Sequence, residues 1–139
     1  MVRGWAIGRP TPDPMKIKSA AVLSVMFLVY IAWAADTGRM PAVLRRLYDY
    51  PNGDRVGHVV VYGILACLLH LAFPGTRTWF RRRIPVAVTV LFLFGTMEEF
   101  SQGLFPRRTP DPVDLSCTWL GIVVGHQVAR RLSSVPREP

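Results

Sequence analysis

Asp54, His58 and Tyr62 follow one another at intervals of four residues, Glu98, Glu99 and Gln102 close an apolar run, and Arg107, Arg108, Asp111 and Asp114 crowd the stretch behind it. On a helix the first three stack along one stripe, a histidine between an acid and a phenol, which suits proton transfer or the holding of a polar head group. Glu98 and Gln102 share a helical face, with Gly95 nearby, while the helical repeat turns Glu99 about 100° away. Two adjacent carboxylates ending a hydrophobic run must pair with arginine or carry a proton, because an ionisable group at the centre of a membrane helix costs about 2.5 to 3.5 kcal/mol on insertion scales. Guanidinium groups such as Arg107 and Arg108 match carboxylate and phosphate alike. Each residue also has a plainer reading: Asp54 as a helix cap, His58 as an interfacial histidine, the arginines as lipid-phosphate contacts or snorkelling side chains. One shared polar site explains their clustering with the fewest assumptions.

The elements that must position these residues are apolar runs of membrane length. The chain has 139 residues, half of them hydrophobic, and a mean hydropathy of +0.26, which leaves room for one domain and little for a separate soluble catalytic unit. Four segments, about 17–35, 56–73, 84–105 and 113–130, approach the roughly 20 residues needed to cross a bilayer. The fold class expected is all-α, an integral membrane four-helix bundle. Residues 1–16 form a disordered cytoplasmic tail, 17–131 the membrane domain and 132–139 a second tail. The first run ends in Ala32-Trp33-Ala34-Ala35 and admits a cleaved signal as the alternative to a retained span. The third meets Glu98 and Glu99 after Met97, and a re-entrant hairpin is its alternative. Between the first two runs, Leu44, Leu47 and Tyr48 share a face within 41–50, which fits a short interfacial helix or an ordered loop. The Pro51-Asn52-Gly53 turn follows, with Asp54 in an N-cap position.

Charge sets the orientation. Of the 17 lysines and arginines, eleven flank the outer edges of the runs on one side: Arg3, Arg9, Lys16 and Lys18, then Arg77, Arg81, Arg82 and Arg83, then Arg130, Arg131 and Arg137. Seven of the nine acids accompany the other six basic residues. The positive-inside rule therefore places both termini in the cytoplasm, N-in and C-in, and the polar cluster at the outer leaflet. The net charge of +8 is explained by topology and anionic lipid, with no nucleic-acid partner needed. Cys67 and Cys117 lie inside apolar runs at different depths, which argues against a disulfide. No HExxH-like spacing occurs, so no metal is expected, the alternative being a divalent ion held by Asp54, His58 and the Glu98–Glu99 pair from separate helices, and no cofactor is expected.

The fourth run carries Asp114, Thr118, Gly121 and Gly125 on one face, with Cys117, Gly121 and Gly125 as a stripe of small residues suited to close helix approach. His70 and His126 read as interfacial residues near the inner ends. Trp5, Trp33, Trp79 and Trp119 mostly mark span boundaries.

Asp54-Arg55-Val-Gly-His58, then Glu99-Phe-Ser-Gln102, then Arg108, Asp111 and Asp114 ahead of Gly121 and Gly125, taken in order, resemble the VanZ-like family of small bacterial membrane proteins. The likeness covers residues 54 to 125, and its register selects Glu99 where the helical wheel selects Glu98; both stay open. Thr118 stands where that family usually carries asparagine, and a hydroxyl cannot replace both arms of an amide. The resemblance implies the bacterial cytoplasmic membrane and a link to lowered glycopeptide, specifically teicoplanin, susceptibility.

Three functions compete. The first is an envelope protein whose outward polar site engages a membrane lipid or a lipid-linked cell-wall precursor. The second is a membrane-embedded enzyme acting on a lipid phosphate, with His58 as acid or base, and the third a proton-coupled carrier working as an oligomer. The oligomeric state itself is not legible. The candidate cluster common to all three is Asp54, His58, Tyr62, Glu98, Glu99, Gln102, Arg107, Arg108, Asp111, Asp114 and Thr118.

Overall fold

The computed structural model describes residues 13–79, 82–105 and 108–133. The chain is helical, with one short hairpin. Helix α1 covers Pro14–Asp36, α2 Ala42–Tyr48, α3 Gly53–Ala72, α4 Val86–Ser101 and α5 Pro112–Ser133. Strands β1 (Thr76–Trp79) and β2 (Arg82–Pro85) pair antiparallel between α3 and α4, with Thr76 opposite Pro85.

Local chemistry explains the boundaries. Helix α1 begins earlier than hydropathy alone indicates because Asp13 accepts the Met15 N–H at 2.9 Å and Pro14 occupies the first turn. It ends in a Schellman motif: Gly38 takes φ 69°, its N–H bonds the Ala35 carbonyl at 3.1 Å, and Arg39 bonds the Ala34 carbonyl at 2.8 Å. The third apolar run is shorter than expected. Ile84 and Pro85 belong to the hairpin, and the chain tightens into a 3₁₀ turn at Gln102–Leu104. Between those limits it is one continuous helix and not a re-entrant pair.

One expectation is corrected at the start of α3. The N-cap is Asn52, in the left-handed region at φ 61°, and Asp54 lies inside the first turn. There its carboxylate accepts the Arg55 N–H at 2.9 Å, one of the donors that a helix start leaves without a partner. The interval 41–50 does form a helix, α2, but its apolar face divides. Leu47 stays exposed while Tyr48 turns towards the polar cluster.

Helices α3 and α5 form the tightest pair because glycine faces glycine. A methyl on Gly121 would come within 2.5 Å of the Val59 carbonyl oxygen, and one on Gly125 would overlap the Gly63 carbonyl. The small-residue stripe read from the fourth run is therefore the seat of this contact. Helix α1 leans on α3, and α4 packs on both α3 and α5. The apolar core contains Leu28, Leu65, Val88, Leu91 and Ile122. Cys67 and Cys117 are free thiols.

Besides the apolar core, large apolar side chains lie exposed while several polar ones are buried. Leu104 is 82% exposed and Met97 and Phe100 are each 70% exposed, whereas Glu99 and Gln102 are each 3% exposed. Helices α1 and α3 are long and apolar enough to cross a membrane by length and composition.

Candidate functional site

The polar residues meet where the ends of α1, α2, α3 and α4 approach the start of α5. Gln102, which caps α4 and opens the 3₁₀ turn, is the hub: its amide Nε2 donates to Glu98 Oε1 at 3.1 Å and to Glu99 Oε2 at 3.2 Å. Its carbonyl oxygen accepts from Arg108 Nε at 3.2 Å. An amide serves both sides here because it is donor and acceptor in one group. The two glutamates that sequence reading left as alternatives have different surroundings. Glu99 is buried and accepts the Asp111 backbone N–H at 2.7 Å, whereas Glu98 faces a cavity and lies 3.9 Å from Arg108 Nη2.

Arg108 is held by three elements. Beyond Gln102 it donates through Nη1 to the Tyr48 hydroxyl at 3.0 Å, and its Nε stands 3.8 Å from Asp36 Oδ1. Burial pushes the Tyr48 hydroxyl above the ordinary tyrosine range, with the Arg108 charge pulling the other way. A guanidinium has five N–H donors, and two of Arg108's make hydrogen bonds among the described residues.

Helices α3 and α5 supply the other wall. His58 Nδ1 lies 2.9 Å from Thr118 Oγ1, and the His58 ring stacks on Tyr62 with centroids 6.1 Å apart. This close fit depends on Gly95, where a methyl would meet Thr118 Cγ2 at 2.7 Å and Tyr62 Cε1 at 3.0 Å. Thr118, 1% exposed, packs its methyl group against Gly95.

A cavity of about 80 Å³ opens between these groups, with Tyr48, His58, Tyr62, Glu98 and Arg108 in its walls. The Tyr62 hydroxyl, on a side chain only 2% exposed, lies beside the Glu98 carboxylate but makes no hydrogen bond of ordinary geometry among the described residues. Such a group is costly unless something fills the space beside it.

Asp111 and Asp114 form a flanking patch. Asp111 caps α5 by accepting the Val113 N–H at 2.8 Å, ahead of Pro112 in the first turn. Arg55 stands 3.5 Å from Asp111 Oδ2 and 3.7 Å from Asp114 Oδ1, and also donates to Asn52 at 3.0 Å. Asp54 shares the stripe of His58 and Tyr62 but spends its hydrogen bond on its own helix start. Arg107 lies outside the described residues. Asp54, His58 and the glutamate pair do not assemble a metal cage, and no group of three such ligands converges among the described residues.

Sequence reasoning missed Asp36, Tyr48 and Arg55 as partners. The available signal was their type at the ends of apolar segments: a carboxylate closing a run, a phenol on an amphipathic turn, an arginine beside Asp54. It also read His70 and His126 separately, whereas their Nδ1 atoms lie 3.0 Å apart across α3 and α5. No family model matches the chain, and no curated protein or solved structure does either.

Proposed function

We propose that the chain is a VanZ-like integral membrane protein of the bacterial cytoplasmic membrane, crossing it four times through α1, α3, α4 and α5 with both termini inside. Its cluster binds the phosphate of a lipid or lipid-linked cell-wall precursor. The pattern of burial supports the membrane setting, since lipid-facing surfaces carry apolar side chains and polar ones turn inward. Helix α5 has 22 residues, about 33 Å at 1.5 Å per residue, enough to cross. Helix α4 has 16, about 24 Å, and is extended by the hairpin before it and the 3₁₀ turn after it.

The observation that carries the binding role is Arg108, a guanidinium positioned by Gln102 and Tyr48 at a cavity that the Tyr62 hydroxyl also lines. Preorganised donors of this kind suit phosphate oxygens. Asp36 and Glu98, when both ionised, outweigh the single Arg108 charge, so anion binding requires a proton on at least one of them and favours a singly charged phosphodiester over a diphosphate-linked precursor.

The first test expresses the wild type, Asp54→Asn, Glu98→Gln, Glu99→Gln and Arg108→Ala in a bacterial host at matched membrane levels and measures teicoplanin and vancomycin susceptibility. Teicoplanin-selective protection that disappears with Arg108→Ala is expected. Wild type without effect on either drug removes the glycopeptide role, and protection that survives Arg108→Ala removes the site.

His58, lining the same cavity as Glu98, favours a second reading, a membrane-embedded hydrolase or transferase of lipid phosphate. Turnover of a phospholipid by the purified protein, lost in His58→Gln with binding retained, separates that reading from simple binding.

A further inference from the structure

A second cavity, of about 280 Å³, lies between α1 and α4 and is lined only by apolar side chains. Leu28, Leu65 and Leu91 form its buried floor, and Val25, Val90 and Phe94 its partly exposed walls. It exists because α1 leans on α3 and leaves the side of α4 uncovered.

The two cavities share Leu28, and their order agrees on the neighbouring helices. On α3, His58 and Tyr62 line the polar cavity, and Leu65 and Leu69 continue into the apolar one. On α4, Glu98 lines the polar cavity one turn beyond Phe94, and the apolar lining runs back to Ala87. The seven-residue step from Ala87 to Phe94 is about 10 Å of groove. Polar cavity and apolar groove thus lie end to end along the same helices, meeting at Leu28, and together outline an amphipathic channel beside α1 and α4.

We infer that this channel holds a single-chain segment of an amphiphile, with its phosphodiester head against Arg108 and the first part of one hydrocarbon chain in the α1/α4 groove. The inference rests on the head-group reading above and adds the chain and its place. Three observations select this occupant over a second protein copy: the groove adjoins the polar cavity at Leu28, Arg108 supplies a guanidinium that a phosphodiester can meet, and the Tyr62 hydroxyl makes no hydrogen bond of ordinary geometry among the described residues. Lipid tails are as apolar as the groove, so the groove supplies position and little affinity, and the test must therefore report position.

The test uses the full chain in phosphatidylcholine nanodiscs and dodecyl methyl phosphate bearing a diazirine at the chain end. After irradiation, adducts are mapped by mass spectrometry. Adducts are expected on Val25, Val90 and Phe94, competed by unlabelled dodecyl methyl phosphate and reduced about tenfold or more in Arg108→Ala, the loss expected when a charge-assisted hydrogen bond to phosphate is removed. Val90→Trp, which fills the groove, should remove these adducts while butyl methyl phosphate still binds.

Groove adducts unchanged by Arg108→Ala would mean that bulk lipid fills the space, and would overturn the inference. Adducts confined to outward residues such as Leu93 and Met97, or cross-links from Val25 to a second copy, would do the same. Butyl methyl phosphate binding that is sensitive to Arg108→Ala would in those cases leave the head-group reading standing; no such binding in any form of the protein would remove both.

Discussion

The Glu99 carboxylate accepts the backbone N–H of Asp111 at 2.7 Å, tying the buried end of α4 to the residue that caps α5. Glu98, its neighbour in sequence, faces the cavity beside Arg108. Glu99→Gln should therefore destabilise the fold by about 1 to 3 kcal/mol, the range for a buried charged hydrogen bond, while Glu98→Gln acts chiefly on binding. Thermal unfolding in detergent checks this, and equal losses for both variants would contradict the division.

Glycine sets the α3/α5 distance. Gly125→Val must push α5 away from the Gly63 carbonyl, at a cost of about 1 to 3 kcal/mol or more, as overpacking does. Gly57 has open space around it, so Gly57→Ala should leave stability unchanged or raise it by about 0.5 to 1 kcal/mol through helix propensity. Unfolding midpoints of the two variants should move in opposite directions or differ by that margin.

Thr118 is 1% exposed and packed against Gly95, so Thr118→Asn, the residue usual in the resembled family, should require neighbouring side chains to move. Thr118→Val keeps the volume and removes the bond to His58, for an expected loss of about 0.5 to 1.5 kcal/mol. A larger loss for Asn than for Val supports the steric account. The reverse order would show that the hydrogen bond dominates.

Tyr48 gives an alkaline signature. Its folded hydroxyl is pushed above the ordinary tyrosine range by burial, so the stability it contributes is complete below that range and is lost as pH rises through the raised value. Ultraviolet titration should show a tyrosine step above the ordinary range that is absent from Tyr48→Phe, the buried Tyr62 being present in both proteins.

Orientation is checked with single cysteines at Thr109 and Ser133, both exposed, in a background with Cys67 and Cys117 replaced by alanine. In intact cells a membrane-impermeant maleimide should label Thr109→Cys and spare Ser133→Cys until the membrane is opened. The opposite pattern would invert the topology.

The helices themselves were legible in the sequence, because apolar run length and cap chemistry are local properties. The four runs became α1, α3, α4 and α5, and Gly121 and Gly125 marked a contact face by their size alone. The family resemblance remains a reading of spaced residues, without a match to a family model or a known structure. What only the tertiary structure decided is which polar groups share a bond. Residues 48 and 108, or 58 and 118, are neighbours only because separate helices bring them there, and no periodicity along one helix encodes a partner on another. The split between Glu98 and Glu99 belongs to the same class: both reach Gln102, but only the fold places the Asp111 N–H against one and the cavity against the other.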